Sequence, residues 1–291
     1  MRIATRASTL ARWQAERVGA RLGDDVELVF VSTTGDRDQT SELHAIGGQG
    51  VFTKEVQQAV LDGRADLAVH SAKDLPSTTP EGLVLAVVPE RADPRDALVG
   101  CTLDALPTGA TVATGSVRRR AQLAGLRPDL SFAELRGNIA TRIAKAHLFD
   151  AIIVATAALD RLGLTDQAAE VLEPDVMLPQ VGQGALAVEC RAGDDATFAL
   201  LAAHDDDALH RALVAERAFL AELGGGCNLP AGAYATVADE HVTIDALLAT
   251  GDGRVVLRTR VESTDPRDAG VRVATQLLDD HGGRALLEDV A

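Results

Sequence analysis

The run Gly224-Gly225-Gly226-Cys227-Asn228-Leu229-Pro230 sets one thiol on a glycine-rich turn, where little but backbone stands between its sulfur and an approaching electrophile. The stretch before it, with Leu209, Ala212, Leu213, Glu216, Phe219, Leu220 and Leu223, has helical spacing. Such a helix closes on a single left-handed glycine, and Gly224 meets that need. Gly225, Gly226 and the thiol are left over. Two readings stand: Cys227 is a nucleophile or attachment point, or it is a small apolar filler of the kind cysteine often provides.

Two further groups carry chemistry. His70-Ser71-Ala72-Lys73-Asp74-Leu75-Pro76 follows the apolar run Asp66-Leu67-Ala68-Val69, at the strand end where open α/β sheets place a ligand crevice. A carboxylate there stabilises a developing cation and the adjacent lysine holds an anion. An exposed Lys73–Asp74 ion pair, worth under about 1 kcal/mol, is the plainer alternative, and His70 reads as a core or strand-end histidine rather than a base. Thr111-Val112-Ala113-Thr114 then runs through Gly115-Ser116 into a helix whose free N–H groups suit an anion. Arg118 and Arg119 in its first turn oppose the helix dipole by about 0.3–1 kcal/mol each, which points to a ligand rather than to stability. Solvated surface arginines remain the alternative. Arg136 and Arg142 flank a second basic stretch.

The elements that must position these residues alternate. Strands are expected over Arg2–Thr5, Glu27–Val31, Asp66–His70 and Leu83–Val88, with helices over Leu10–Leu22, capped by Ser8, and over Phe52–Asp62. The stretch from Ser32 to Gly50 lacks periodicity and reads as a lid or a disordered loop. Pro89–Pro94 marks a crossing into a second α/β unit, with helices at Val117–Leu126 and Ile139–Phe149 and a strand at Ala151–Ala155. Pro179–Gly184 marks a crossing back to a strand at Ala185–Cys190, so a hinge of two strands is expected. A helix from Asp205, strands around Val242–Leu248 and Val255–Val261 and a final helix near Gly270–Asp280 make a small α+β module. The expected domains are 1–90 with 185–203, 91–184, and 204–291; no internal repeat is visible.

Bulk properties narrow the function. The 291 residues exceed what one core usually supports, and 46% hydrophobic with 24% charged residues describes an ordinary globular chain. No apolar run reaches the roughly 18 residues of a membrane span, and the start Met1-Arg2-Ile3-Ala4-Thr5-Arg6 reads as a cytoplasmic N-terminus rather than a secretory signal. A net charge of −15 with 3% aromatics argues against nucleic acid. Three widely separated cysteines, Cys101, Cys190 and Cys227, fit neither a disulfide framework nor a zinc site. Arginine clusters inside an acidic protein point to small anions.

Arg2-Ile3-Ala4-Thr5-Arg6-Ala7-Ser8, Gly47-Gly48-Gln49-Gly50-Val51-Phe52-Thr53-Lys54-Glu55, His70-Ser71-Ala72-Lys73-Asp74, Arg136-Gly137-Asn138, Val181-Gly182-Gln183-Gly184 and Gly224-Gly225-Gly226-Cys227 together resemble the porphobilinogen deaminase (hydroxymethylbilane synthase) family, in order and over nearly the whole chain. The resemblance implies two periplasmic-binding-protein-like α/β domains linked by a two-strand hinge, plus a small C-terminal α+β domain. It also implies a dipyrromethane cofactor joined by thioether to Cys227. The implied activity condenses four porphobilinogen molecules head to tail, releasing ammonia each time, and hydrolyses off hydroxymethylbilane, which passes to downstream tetrapyrrole enzymes; the family implies a monomer. Carried over residue by residue, Asp74 stabilises the cation left when ammonia departs. Arg6, Arg118, Arg119, Arg136, Arg142 and Arg161 are the expected clamps for acetate and propionate arms, since guanidinium forks pair bidentately with carboxylates. Ser8, Ser71, Lys73, Thr114, Ser116 and Gln183 match further binding positions, and Phe52 matches a lid aromatic. Thr34, Ala45 and Gln49 stand where many members carry basic residues, and Gly115 where a serine is frequent.

Two other classes compete. A binding module of the periplasmic type explains two lobes and an anion pocket but not the C-terminal module with its thiol. A thiol acyltransferase needs a histidine beside Cys227, and His204, His210 and His241, nearest in sequence, form no recognisable pairing.

Overall fold

The computed structural model describes residues 1–37, 50–224 and 229–288. A first α/β lobe is built from β1 (Arg2–Arg6), α1 (Thr9–Leu22), β2 (Glu27–Val31), α2 (Thr34–Arg37), α3 (Lys54–Leu61), β3 (Leu67–Ser71) and β4 (Leu83–Val87). Leu67, Ala68 and Val69 are all buried, as a strand covered on both faces requires. Ser8 starts α1 as expected, its hydroxyl accepting the Ala11 N–H at 3.3 Å.

The chain then crosses to a second lobe of β5 (Asp96–Val99), β6 (Thr111–Ala113), α4 (Val117–Leu126), β7 (Ser131–Ala133), α5 (Ile139–Ala144), β8 (Ala151–Ala155), α6 (Thr156–Arg161) and β9 (Glu170–Leu172). It returns through β10 (Leu186–Arg191) to α7 (Asp195–Ala202). The first sheet is ordered β2-β1-β3-β10-β4 and the second β7-β6-β8-β5-β9. In both, the fourth strand is the one that first follows a crossing, and it runs antiparallel to its neighbours. The lobes therefore share one topology. The crossings lie side by side: Arg91 and Ala185 form an isolated bridge, Ala92 N–H donates to Gly184 O at 3.0 Å, and Leu186 N–H donates to Glu90 O at 3.0 Å. The expected helix Ile139–Phe149 is shorter, because α5 ends at Ala144 and a 3₁₀ turn, Ala146–Leu148, follows.

The C-terminal module contains α8 (Asp207–Glu222), β11 (Ala231–Ala238), β12 (His241–Ala249), β13 (Val256–Ser263), α9 (Pro266–Thr275) and α10 (Arg284–Glu288), with the sheet ordered β11-β12-β13. Three strands thus replace the two expected. The sequence Ala-Gly-Ala-Tyr-Ala-Thr-Val-Ala of β11 is poor in branched residues and gives little strand pattern. It needs small side chains because Ala233 and Ala235 pack in one core with Ala212, Ala215 and Phe219 of α8. The last helix begins earlier than expected, at Pro266, with Asp265 as its cap.

One carboxylate of α8 ties this module to both crossings. Glu216, fully buried, accepts from Arg91 Nη1 at 2.6 Å and Nη2 at 3.3 Å, from Gly182 N–H at 2.6 Å and from Ala235 N–H at 2.9 Å. Next to it Arg217 donates to Pro76 O at 2.8 Å and to Thr79 Oγ1 at 3.1 Å, while Arg258 of β13 reaches Pro174 O and Asp175 O of the second lobe, both at 2.8 Å. Glu216→Gln strands the Arg91 guanidinium in a buried site. It is expected to cost about 3–5 kcal/mol in urea unfolding, as loss of one partner of a buried pair does; a loss below 1 kcal/mol would show that the hub is dispensable.

Candidate active site

Asp74 closes a single 3₁₀ turn, Ala72–Asp74, that β3 feeds directly. Its carboxylate shares the wall of a cavity of about 270 Å³, mouth included, with Arg6, Gln14, Phe52, His70 and Ser71. Arg6 lies over the Phe52 ring, 4.3 Å from its centroid, so a cation from the end of β1 and an aromatic from just before α3 are already joined there. Ser71 accepts from Gln14 Nε2 at 2.7 Å, which docks the end of β3 onto α1.

Lys73, the neighbour of Asp74, opens instead into a larger cleft of about 660 Å³, mouth included. All three parts of the chain wall it: Lys73 and Pro76 from the first lobe, Ser116 and Arg118 from the start of α4, and Arg217, Leu220 and Leu229 from the C-terminal module. The Val181-Gly182-Gln183-Gly184 turn brings the parts this close. Gly182 and Gly184 have φ of +70° and +86°, and a Cβ on them would meet Ala72 C at 2.8 Å and Ala92 O at 2.4 Å. Only glycine gives both the left-handed backbone and the clearance.

Ser116 caps α4 by accepting the Arg119 N–H at 3.4 Å, and the Thr114 hydroxyl accepts the Ser116 N–H at 3.2 Å. The two arginines of the first turn do not stand unopposed. Arg118 donates to Asp96 Oδ2 at 2.7 Å and to Leu178 O at 2.5 Å, and Arg119 donates from Nε to Asp96 Oδ1 at 3.0 Å and to Ile153 O at 3.2 Å. Gln183, also buried, donates to Asp96 Oδ1 at 2.9 Å and accepts from Arg119 Nη2 at 3.3 Å. Burial alone raises the Asp96 carboxyl, and the Arg118 and Arg119 charges more than reverse this, holding it below the usual range. The sequence reading missed Asp96, which offsets the dipole conflict inferred for α4; its only trace there is a carboxylate opening a buried strand. Arg118 Nε is nevertheless buried without a partner.

A further set of cations stays undercompensated. Burial, with the Arg119 charge beside it, pushes Lys73 down to about 8 against the pull of Asp74 and Asp96. Burial, with Arg119 and Arg136 nearby, brings Arg142 down to about 10 against Asp74 and Glu134. These depressions go with a positive region drawn from both lobes that Asp74, Asp96 and Glu134 only partly offset, and such a region favours anions. Arg142 spends only Nε on the protein, donating to Gly137 O at 2.8 Å, while Asn138 caps α5 by accepting the Thr141 N–H at 2.9 Å. Arg161 sits apart at the lobe contact, with its guanidinium carbon 5.5 Å from the Trp13 ring centroid and Nη2 donating to Gly184 O at 2.6 Å. Thr34 donates to Glu55 Oε1 at 2.7 Å. Cys227, Ala45 and Gln49 lie outside the described residues.

Residues 1–199 match the family model described as porphobilinogen deaminase, dipyrromethane cofactor binding domain, and residues 211–279 match the model of the porphobilinogen deaminase C-terminal domain. The chain belongs to the porphobilinogen deaminase family. It is 49% identical over 296 aligned positions to the porphobilinogen deaminase of Roseiflexus castenholzii, covering 98% of this chain and 97% of that one. The Acidothermus cellulolyticus protein of the same name is 47% identical, covering 96% of this chain and 88% of its own. Among solved structures, an ancestral cationic amino acid solute-binding protein aligns with a TM-score of 0.45 at 13% identity, covering 70% of this chain and 87% of its own. No helix among the described residues is long and apolar enough to cross a membrane.

Family membership makes dipyrromethane the cofactor to test against the site. The donors present fit it: an oligo-carboxylate needs fixed cations, and Lys73, Arg136 and Arg142 provide them.

Proposed function

We propose that the chain is a hydroxymethylbilane synthase. It deaminates porphobilinogen, joins four units head to tail onto a covalently held dipyrromethane primer, and hydrolyses off the linear tetrapyrrole for haem and related biosynthesis. The observation that carries this reading is the group of cations from two lobes, Lys73, Arg119, Arg136 and Arg142, gathered about Asp74, with more positive charge than Asp74, Asp96 and Glu134 offset. When bound, the cofactor supplies the chain end onto which each new pyrrole is joined.

The chain's own groups divide the work by charge. Arg136 and Arg142 grip acetate and propionate arms, with Arg118 and Arg119, both fixed by Asp96, as the wall behind them. Asp74 faces the ring nitrogen of the unit that has just lost ammonia and holds its positive charge. Arg6, Phe52 and Ser71 border the same cavity, Ser8 caps α1, Thr114 and Ser116 order the start of α4 beside the larger cleft, and Arg161 and Gln183 hold the lobes at the crossing. Domain limits at 1–90 with 185–203, 91–184 and 204–291 are proposed on the membership of the three sheets. A monomeric, cytoplasmic enzyme that hands its product to later tetrapyrrole enzymes belongs to the same proposal. The purified chain given porphobilinogen is expected to release one ammonia per molecule consumed; consumption without ammonia, or none at all, would sink the reading.

Lys73 supplies a pH test. Its ammonium is intact below about 8 and lost as pH rises through that value. Since the group loses its proton sooner in the folded chain than in the unfolded one, its burial cost is fully present below pH 8 and is relieved towards the ordinary 10.5, so stability does not fall in this window on its account. Substrate binding does: KM for porphobilinogen is expected to rise above pH 8, and Lys73→Arg, charged throughout, is expected to flatten the rise. An identical profile in the variant would remove Lys73 from substrate binding.

A further inference from the structure

A buried titratable pair stands behind Asp74 and has no part in the mechanism so far. Glu189 of β10, fully buried, pairs opposite Ala68 of β3, and Ala187 pairs opposite His70. The antiparallel register makes Glu189 and His70 diagonal neighbours on one sheet face. Their Oε2 and Nε2 lie 3.2 Å apart. Gln57 of α3 donates to the same Oε2 at 2.8 Å, while Glu189 Oε1 is buried without a hydrogen bond, and His70 Nε2 lies outside hydrogen-bond alignment.

As a stabiliser this pair is poor. Two buried ionisable groups with imperfect hydrogen bonding cost more than an apolar pair of the same volume, so a purely structural role does not account for them. His70 also does more than fill the core, because it is among the residues lining the cavity that Asp74, Arg6 and Phe52 line. Burial raises the Glu189 carboxyl, and His70 and Gln57 reverse this, so the carboxylate stays ionised beside the imidazole. An ionised carboxylate at Nε2 favours the tautomer with its proton on that nitrogen and leaves the other ring nitrogen with a lone pair. The other charged groups about the pair are Arg217 of α8, which acts on Glu189, and Arg6 and Asp74 on the cavity wall.

We infer that His70 takes the proton released at each condensation, with Glu189 as the residue that positions it. The inference rests on the synthase reading. The balance is simple. The carbon–nitrogen bond of porphobilinogen breaks with its electrons leaving on ammonia, and the ring carbon at the end of the growing chain forms the new bond to the freed methylene carbon. That ring carbon then loses its proton to the imidazole, the C–H electrons return to the ring, and the imidazolium gives the proton to ammonia or water. Asp74 holds the cation while His70 removes the proton whose loss restores neutrality.

His70→Gln keeps the size and polarity but cannot accept the proton. The holoenzyme is expected to keep its covalent adduct by intact mass and its KM, to lose about 10²-fold in kcat, and to gain a primary isotope effect with porphobilinogen deuterated at its free ring carbon. Glu189→Gln, which leaves His70 in place, is expected to lose about tenfold, show the same isotope effect, and shift the His70 tautomer seen by ¹⁵N NMR of the purified protein. Wild-type turnover in His70→Gln, or slow turnover without an isotope effect in both variants, overturns the inference and leaves the synthase reading standing. Failure of the unsubstituted enzyme to release ammonia would overturn the synthase reading itself.

Discussion

Asp74→Asn is expected to retain its covalent primer and to lose kcat by about 10²–10³-fold, the usual cost of removing one preorganised charge from a developing opposite charge. The amide matches the carboxylate in shape and keeps a hydrogen-bond acceptor, so only the charge is taken away. Its neighbours make the loss specific. Lys73 and Arg142 both feel Asp74 as a stabilising charge, and without it these cations act on a nearby positive ring with one carboxylate fewer to offset them. The same change leaves the carboxylate-binding cations in place, so KM is expected to stay level. Asp74→Glu keeps the charge but moves it by a methylene, and its kcat should fall between the amide and wild type. Steady-state kinetics with intact mass on the same preparations decides the matter, and an asparagine variant within tenfold of wild type would show that some other group carries the charge.

What the sequence discloses follows from the range over which each feature is set. Elements fixed by local pattern were legible: β2 and α4 end where their apolar spacing and their capping serine put them. The crossings were legible because proline and glycine mark them. The short strands β5, β7 and β9 were not, since three or four residues carry no periodicity and their pairing partners lie far along the chain. The shared topology of the two lobes was hidden for a related reason: it lives in strand order, which unlike sequences can satisfy. At the site, residue type was readable and partnership was not. Arg118 and Arg119 looked like unopposed cations until β5 delivered Asp96 beneath them, and Lys73 and Asp74, for which an exposed ion pair was the plainer alternative, line two different cavities from one 3₁₀ turn. Glu189 gave no sign and Glu216 only its place on the stripe of its helix, because helix and strand patterns treat a charged residue as solvent-facing, and only the packed molecule shows which ones are surrounded.

Cys227→Ser is expected to abolish both adduct and turnover. Wild-type protein from cells able to make the cofactor should be heavier than its sequence by two linked pyrroles, and the serine variant should have its sequence mass. The chemistry favours sulfur because a thiolate attacks an electron-poor methylene carbon unaided, whereas a serine hydroxyl needs a base to activate it. The surroundings favour this cysteine over the other two. Cys190 is fully buried in the first-lobe core, where burial pushes its thiol up and away from the reactive form, and Cys101 packs against the core of the second lobe. Leu229, by contrast, lines the cleft with Lys73, Ser116 and Arg118. Glu216 pins the C-terminal module to both crossings, which keeps its wall of the cleft at a fixed spacing from the cations of the two lobes. Cys101→Ser and Cys190→Ala should keep the adduct. An adduct that survives in Cys227→Ser, or one that vanishes in either control, would place the attachment elsewhere.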